Sequence, residues 1–124
     1  MDKYERIRKE CQDMQDFLEL TPQCEQEMVE RLSTISVYNA RSGKMLADMK
    51  LAYREERLKT INAVIMTVAK EGHLSAKVQN AMVDSIATDE LYLIDWLDRI
   101  NRACVHQGDN LRTMVSYAKA QMQI

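Results

Sequence analysis

Glycine and proline are scarce in this chain of 124 residues, which has three glycines and one proline. Both residues interrupt helices, so their scarcity favours long helices. The sequence also lacks a glycine-rich phosphate loop, a CxxC pair and any apolar run of about 20 residues. These absences argue against a nucleotide-binding loop, a zinc-ribbon site and a membrane span. An all-α fold is predicted.

Cysteine usage indicates the compartment. Cys11, Cys24 and Cys104 are odd in number and show no metal-binding spacing, which is typical of a reducing environment. The first residues, MDKYERIRKE, are too charged for a signal peptide. We therefore expect a cytoplasmic protein without membrane contact, located in the host cytoplasm if the chain is viral.

Apolar residues recur at three- and four-residue steps, which predicts four helices over residues 2–20, 22–70, 76–87 and 89–122. Thr21 and Pro22 resemble a helix start, and Gly72 resembles a helix end. Asn39, Ser42 and Gly43 weaken the stripe of the second helix, which predicts a bend or interruption there.

The expected buried positions form one stripe in each helix. They are Tyr4, Ile7, Cys11, Met14 and Leu18; Met28, Leu32, Ile35, Leu46, Met49, Tyr53, Val64 and Val68; Val78, Met82 and Ile86; and Leu93, Leu97, Ile100, Cys104, Leu111, Val115, Ala118 and Met122. We expect a single domain, residues 1–124, in which the two long helices form an antiparallel hairpin and two shorter helices complete a helical bundle. A hairpin of this length leaves apolar surface uncovered, so the bundle is expected to be completed by homo-oligomerisation.

Charge is segregated along the chain although the net charge is only −2. Residues 41–59 hold six basic and three acidic groups, and residues 99–119 hold four and one, whereas the amino terminus and residues 60–98 are acidic. In an antiparallel hairpin the two basic segments are expected to lie side by side and to form a phosphate-binding surface. The candidate nucleic-acid-binding residues are Arg41, Lys44, Lys50, Arg54, Arg57, Arg99, Arg102, Arg112 and Lys119, with Tyr53, Trp96 and Tyr117 as candidate stacking aromatics. The alternative interpretation is a solvated face with ordinary ion pairs.

Residues suited to catalysis or metal binding do not form a recognisable pattern. His73 and His106 have no ligand partner at metal-binding spacing, and the cysteines lie at core-spaced positions. Carboxylate pairs such as Asp95 and Asp98 lie on charged helix faces, where solvation is the usual explanation. We therefore predict no catalytic residues, metal or cofactor.

The order of helices and charges resembles a known family. The segments ARSGKMLADMKLAYREERLK and DELYLIDWLDRINRACVHQGDNLRTMVSYAKAQM frame a short connecting helix over about residues 36–122. This pattern resembles small helical phage and prophage proteins, in particular the UvsY-type recombination mediators of T-even phages. The resemblance implies a helical homo-oligomer that binds single-stranded DNA and helps load a recombinase. It would make Lys50, Arg54, Arg57, Arg112 and Lys119 DNA contacts.

Three hypotheses about function follow from the sequence. The first is a phage-type accessory factor that binds single-stranded DNA through a basic helix face. The second is a protein-binding accessory or inhibitor of a host or phage protein, including an anti-defence module, without affinity for nucleic acid. The third is a structural assembly protein.

Overall fold

The computed structural model describes residues 2–72 and 75–122, without the side chains of residues 83, 84 and 86. The described residues form four helices and no strand, so the all-α prediction is confirmed: α1 (Glu5–Glu19), α2 (Glu25–Glu71), α3 (Ala76–Ile86) and α4 (Thr88–Met122). None of these helices combines the length and apolar character of a membrane span. The chain divides into two compact units, unit 1 (Met1–Met45 with Trp96–Ile124) and unit 2 (Leu46–Asp95).

The observed ends of α1, α3 and α4 differ slightly from the predicted ones. α1 begins at Glu5, three residues later than predicted, because residues 2–4 form a turn in which the backbone N–H of Tyr4 donates to Asp2 Oδ1 at 3.1 Å. α3 ends and α4 begins one residue earlier than predicted. Such shifts at helix ends leave the core-facing stripes unchanged.

The start of α2 differs more clearly from the prediction. Thr21 and Pro22 lie in a non-helical connection, and the helix begins at Glu25. The backbone N–H of Gln23 donates to Glu27 Oε2 at 2.6 Å, so a glutamate within the first turn supplies the side-chain acceptor that Thr21 was expected to provide. The connection between α1 and α2 is therefore longer than the sequence indicates.

α2 continues without interruption through Gly43, the position at which the sequence left a bend or interruption of this helix open. A Cβ atom added to Gly43 would lie 3.6 Å from Asn101 Nδ2, which is an ordinary van der Waals distance. Gly72, by contrast, has φ +79, and it follows the last helical residue, where a left-handed residue commonly ends a helix. The two glycines therefore have different structural roles.

These roles predict opposite effects of substitution by alanine. We expect Gly43→Ala to raise the free energy of unfolding by about 0.5–1 kcal/mol, because alanine favours the helix and the added methyl fits. Gly72→Ala is expected to lower it by about 1 kcal/mol, because an L side chain disfavours the left-handed backbone. Urea unfolding followed by circular dichroism measures both. A destabilising Gly43→Ala would contradict the contact described for Asn101.

Unit 1 is a bundle of α1, the first part of α2 and the later part of α4. α1 and α2 are antiparallel. The Phe17 and Tyr38 rings meet edge-on with their centroids 5.2 Å apart, and Glu10, earlier in α1, pairs with Arg41, later in α2. α2 and α4 are also antiparallel, because Asn101 contacts residues 39–43 whereas Gly108 lies opposite Ile35. Unit 1 thus has the hairpin geometry that the sequence predicts.

The helices of unit 1 are further joined by amide hydrogen bonds. Asn101 Nδ2 lies within hydrogen-bonding distance of both the carbonyl and the side-chain oxygen of Asn39, at 3.0 Å, and of Ser42 Oγ, at 3.1 Å. Trp96 Nε1 donates to Gln15 Oε1 at 3.1 Å, and Gln107 Nε2 donates to the carbonyl of Leu18 at 2.7 Å. These bonds fix the register of α4 against α1 and α2.

The core of unit 1 matches the predicted stripes of α1 and α4, and that of α2 at Ile35 only. Tyr4, Cys11, Met14 and Leu18, together with Leu97, Ile100, Cys104, Leu111 and Val115, are buried as predicted; Ile7 and Ala118 are half-buried, and Met122 is exposed. On α2 the buried residues are Arg31, Ile35, Ser42 and Met45, whereas Met28 and Leu32 are only half-buried. Two polar residues, Arg31 and Ser42, therefore occupy core positions in the part of α2 that belongs to unit 1.

Arg31 is buried beside the end of α1. Its guanidinium donates to the carbonyl oxygens of Phe17 and Leu20 and lies over the Phe17 ring, with Cζ 4.6 Å from the ring centroid. The last carbonyls of a helix have no partner within the helix and carry the negative end of its dipole. Arg31 therefore caps α1 from the neighbouring helix.

Unit 2 consists of the second part of α2, α3 and the start of α4. Its buried residues are Met49, Thr60, Val64, Ala87, Glu90 and Leu93. Leu46, Tyr53 and Val68 are half-buried. The predicted buried edge of α3 is wrong at Val78, which is 46% exposed, and Met82 is half-buried. The side chain of Ile86, the third residue of that edge, lies outside the described part.

Candidate nucleic-acid interface

All nine basic residues proposed from the sequence are exposed. Charged side chains on long amphipathic helices face solvent because the opposite face packs in the core. Unit 1 holds Arg41, Lys44, Arg99, Arg102, Arg112 and Lys119, and unit 2 holds Lys50, Arg54 and Arg57. The candidate residues are accessible to a ligand, and they divide between the two compact units.

The register of unit 1 decides which of its basic residues are neighbours. Asn101 lies against residues 39–43, so Arg99 and Arg102 lie at the same level of the bundle as Arg41 and Lys44. Arg112 is one turn beyond Gly108, which contacts Ile35. The structure therefore brings the two basic segments to one level at Arg41 and Lys44.

Unit 2 gives the three remaining basic residues a different setting. Lys50, Arg54 and Arg57 share one side of α2, at four- and three-residue steps. The same unit contains the acidic start of α4, with Asp89, Glu90 and Asp95, and it does not contain residues 99–119. Of segment 41–59, unit 1 therefore holds residues 41–45 together with residues 99–119, and unit 2 holds residues 46–59.

One outer face of α4 combines basic, imidazole and aromatic side chains. Arg99, Arg102, His106 and Tyr117 follow one another at three-, four- and eleven-residue steps, which place them on one side of a helix. All four are exposed. We call these four residues the α4 face. It offers cationic groups to phosphates and one ring on which a base can stack.

Several of the basic residues make exposed ion pairs. Arg102 Nε lies 3.2 Å from Asp98, Arg112 lies 3.2 Å from Asp109, and Arg41 makes the pair with Glu10. Exposed pairs of this kind contribute about 0–1 kcal/mol and are screened by salt. A phosphate can replace such a carboxylate at little cost, so these pairs leave the arginines available for binding.

Other basic residues have no partner of this kind. The side chains of Lys50, Arg54, Arg99 and Lys119 make no hydrogen bond or ion pair with any residue in the described ranges. Arg57 donates to the hydroxyl of Tyr53 at 2.8 Å, and no carboxylate of the described part pairs with it. Ion pairing within the chain therefore accounts for some of the basic residues only.

The aromatic candidates differ in accessibility. Tyr117 is exposed. Tyr53 is half-buried, and its hydroxyl accepts a hydrogen bond from Arg57. Trp96 is half-buried, and its indole N–H donates to Gln15. Tyr92, which the sequence analysis did not propose, is also exposed. Tyr117 is thus the proposed aromatic best placed for stacking.

Two of the three cysteines are buried as the sequence predicts, but Cys24 is exposed in the connection before α2, so the core position predicted for it is wrong. Cys11 and Cys104 are fully buried, and burial raises the pKa of the Cys11 thiol to about 11 and also raises the pKa of Cys104. Both thiols therefore stay protonated near neutral pH, and a protonated thiol is a poor nucleophile. His106 is exposed, His73 lies outside the described residues, and no group of three potential metal ligands occurs among those described.

The sequence analysis overlooked an apolar stripe on the outside of unit 2. Leu51, Leu58 and Ile65 are 54%, 59% and 58% exposed and recur every seven residues along α2. Ala47 precedes them, and the half-buried Ile61 and Val68 lie between and after them at heptad spacing. We call these six residues the outer seam. The heptad spacing is visible in the sequence. The sequence analysis instead assigned the buried face of α2 to another stripe of apolar residues on the same helix.

No protein-family model matches this chain, and the comparisons with curated proteins and with solved structures give no match either.

Proposed function

We propose that this chain is a non-enzymatic helical protein that self-associates and binds single-stranded nucleic acid in the cytoplasm, as a phage-type recombination accessory factor. The observation that carries the proposal is the exposure of all nine basic candidates, of which Arg99 and Lys119 have no side-chain partner among the described residues and lie outside the outer seam. Unpaired cations on a rigid helix supply sequence-independent affinity for phosphates.

The α4 face supports a single strand over a duplex as the ligand. Arg99 and Arg102 lie about 27 Å and about 22 Å from Tyr117 along the helix, at 1.5 Å per residue. Bases of a duplex are stacked on each other, whereas those of a single strand are free to stack on a tyrosine ring. A strand lying along α4 would place its phosphates at the arginines and a base at Tyr117.

The proposal predicts salt-sensitive binding that is lost on charge reversal. For four to six phosphate contacts, each contributing about 0.7 to the slope, we expect the dissociation constant to rise roughly 50- to 300-fold from 50 to 200 mM salt. Arg57→Glu/Arg112→Glu and Arg99→Glu/Arg102→Glu are each expected to weaken binding about tenfold or more. Fluorescence anisotropy with a labelled oligonucleotide measures binding, and light scattering on the same sample measures mass.

A matched control separates local contacts from net charge. Lys9→Glu/Lys77→Glu changes the charge by the same amount, and both lysines are exposed residues outside the proposed interface. This variant is expected to retain most of the affinity. Equal losses in all three variants would leave only a non-specific charge effect, and unchanged binding by both arginine variants would contradict the interface.

A second candidate function is that of a protein-binding accessory module, and exposed apolar side chains favour it. Met66, Met114 and Met122 are 59%, 49% and 77% exposed, and methionines adapt well to partner surfaces. Absence of oligonucleotide binding at 50 mM salt would favour this function. A single fixed large oligomer without any ligand would favour a structural assembly role instead.

A further inference from the structure

We infer that α2 pairs with α2 of a second copy of this chain through the outer seam, in parallel orientation. The inference rests on the self-association included in the proposed function and assigns it to one surface. Leu51, Leu58 and Ile65 are more than half exposed although each is a large aliphatic residue. Large aliphatic residues repeated every seven positions on the outside of a long helix are the pattern by which two helices pack together.

The seam is long enough for a specific helix pair. It extends over residues 47–68 of α2, which is about 33 Å at 1.5 Å per residue and corresponds to three heptads. α2 is already folded within unit 2, whose core uses Met49, Thr60 and Val64 on another side of the helix. Association therefore does not have to offset the cost of forming the helix, which limits short isolated coiled coils.

Charges beside the seam favour a second copy as the partner. Lys50 immediately precedes Leu51, and Glu55 follows Leu51 by four residues. In a parallel helix pair, the position before one core residue faces the position five residues later on the partner, so Lys50 of each copy faces Glu55 of the other. A two-fold interface requires a patch that complements itself. This patch does, because the contact between Lys50 of one copy and Glu55 of the other forms twice.

Both charged groups are available for this contact. Lys50 and Glu55 are exposed, and neither makes a hydrogen bond or ion pair with another residue in 2–72 or 75–122. An antiparallel pair would instead bring Lys50 and Arg57 of the two copies near each other, because like flanks then face one another. The charges thus select the parallel arrangement.

Arg54 is the single charged residue at a core position of the seam. A lone polar residue at such a position lowers affinity but fixes the register of a helix pair. Its neighbour in sequence is Glu55, which in the parallel pair also flanks Arg54 of the other copy. The pair therefore covers Lys50 and Arg54 and leaves Arg57 and the basic residues of unit 1 for the nucleic acid.

The experiment measures the mass and dissociation constant of the full-length protein by sedimentation velocity over a range of concentrations. Leu58→Glu is expected to halve the mass found for the unmodified chain. Lys50→Glu and Glu55→Lys are each expected to weaken association about tenfold. The double variant Lys50→Glu/Glu55→Lys is expected to restore it to within about threefold, because the facing charges are again opposite.

Val37→Glu is the matched control, because Val37 is 62% exposed on the same helix, in unit 1 and outside the seam. It is expected to leave the mass unchanged. Circular dichroism of all variants checks the helix content, which should be constant because the replaced side chains are exposed.

Each alternative result has a distinct meaning. A chain of 14.4 kDa at every concentration would overturn both the seam and self-association. A larger mass that Leu58→Glu does not change would overturn the seam and leave self-association through another surface. Halving by Leu58→Glu without rescue by the double variant would overturn the parallel register. Whether Leu58→Glu still binds the oligonucleotide tests the nucleic-acid function separately from self-association.

Discussion

Replacing Leu97 by alanine is expected to lower the free energy of unfolding by about 2–5 kcal/mol. Leu97 is fully buried in unit 1 and lies between Leu93 and Ile100 in the buried stripe of α4. Truncation removes the transfer free energy of the lost carbons and leaves a cavity that the surrounding helices fill only in part.

Urea unfolding followed by circular dichroism measures this loss, at one fixed protein concentration because self-association would add to the apparent stability. Val105→Ala is the control on the same helix, since Val105 is 46% exposed, and its expected effect is below about 0.5 kcal/mol. A loss below about 1 kcal/mol for Leu97→Ala would contradict the core position of α4.

The buried stripe of α4 shows why part of this fold could be predicted from the sequence. Leu97, Ile100, Cys104 and Leu111 are apolar and recur at helical spacing, and all four are buried. Periodicity identifies a buried face when the residues on that face are apolar. The same holds for Cys11, Met14 and Leu18 of α1.

The core face of α2 in unit 1 shows where periodicity fails. Its buried residues, Arg31, Ile35, Ser42 and Met45, follow heptad spacing, but two of the four are polar. A pattern based on hydrophobicity therefore identified Ile35 but also selected Met28 and Leu32, which are half-buried. Ser42 is accommodated because Asn101 bonds to it from α4, and no local signal in the sequence reveals that contact.

The candidate nucleic-acid interface also has a part that could be predicted from the sequence and a part that could not. Exposure of Arg54, Arg99 and the other basic residues follows from their charge and could be predicted. Which of them become neighbours depends on the register between α2 and α4, which the Asn101 contacts set. The exposed positions of Leu51 and Leu58 likewise depend on which face of α2 the rest of unit 2 covers, and that is a tertiary property.

Arg31→Met is expected to lower the free energy of unfolding by about 2–4 kcal/mol. Methionine keeps an apolar stem of similar length but removes both donors, so the carbonyls of Phe17 and Leu20 lose a charged partner. Hydrogen bonds to a charged group contribute about 1.5–3 kcal/mol each. The carbonyl of Phe17 keeps the backbone N–H of Leu20 as a donor at 3.2 Å, so the expected loss lies below the sum of two such bonds.

Arg31→Lys distinguishes the charge from the geometry. Lysine keeps a positive group at the end of α1, but its ammonium cannot reproduce the planar fork that reaches two carbonyls or the stacking on Phe17. We expect a loss of about 1–2 kcal/mol, between those of the unmodified chain and Arg31→Met. Arg99→Met is the surface control, because Arg99 is exposed and makes no bond within the described residues. If Arg31→Met and Arg99→Met had equal effects, below about 0.5 kcal/mol, water would replace the guanidinium fully and Arg31 would not stabilise the junction of α1 and α2.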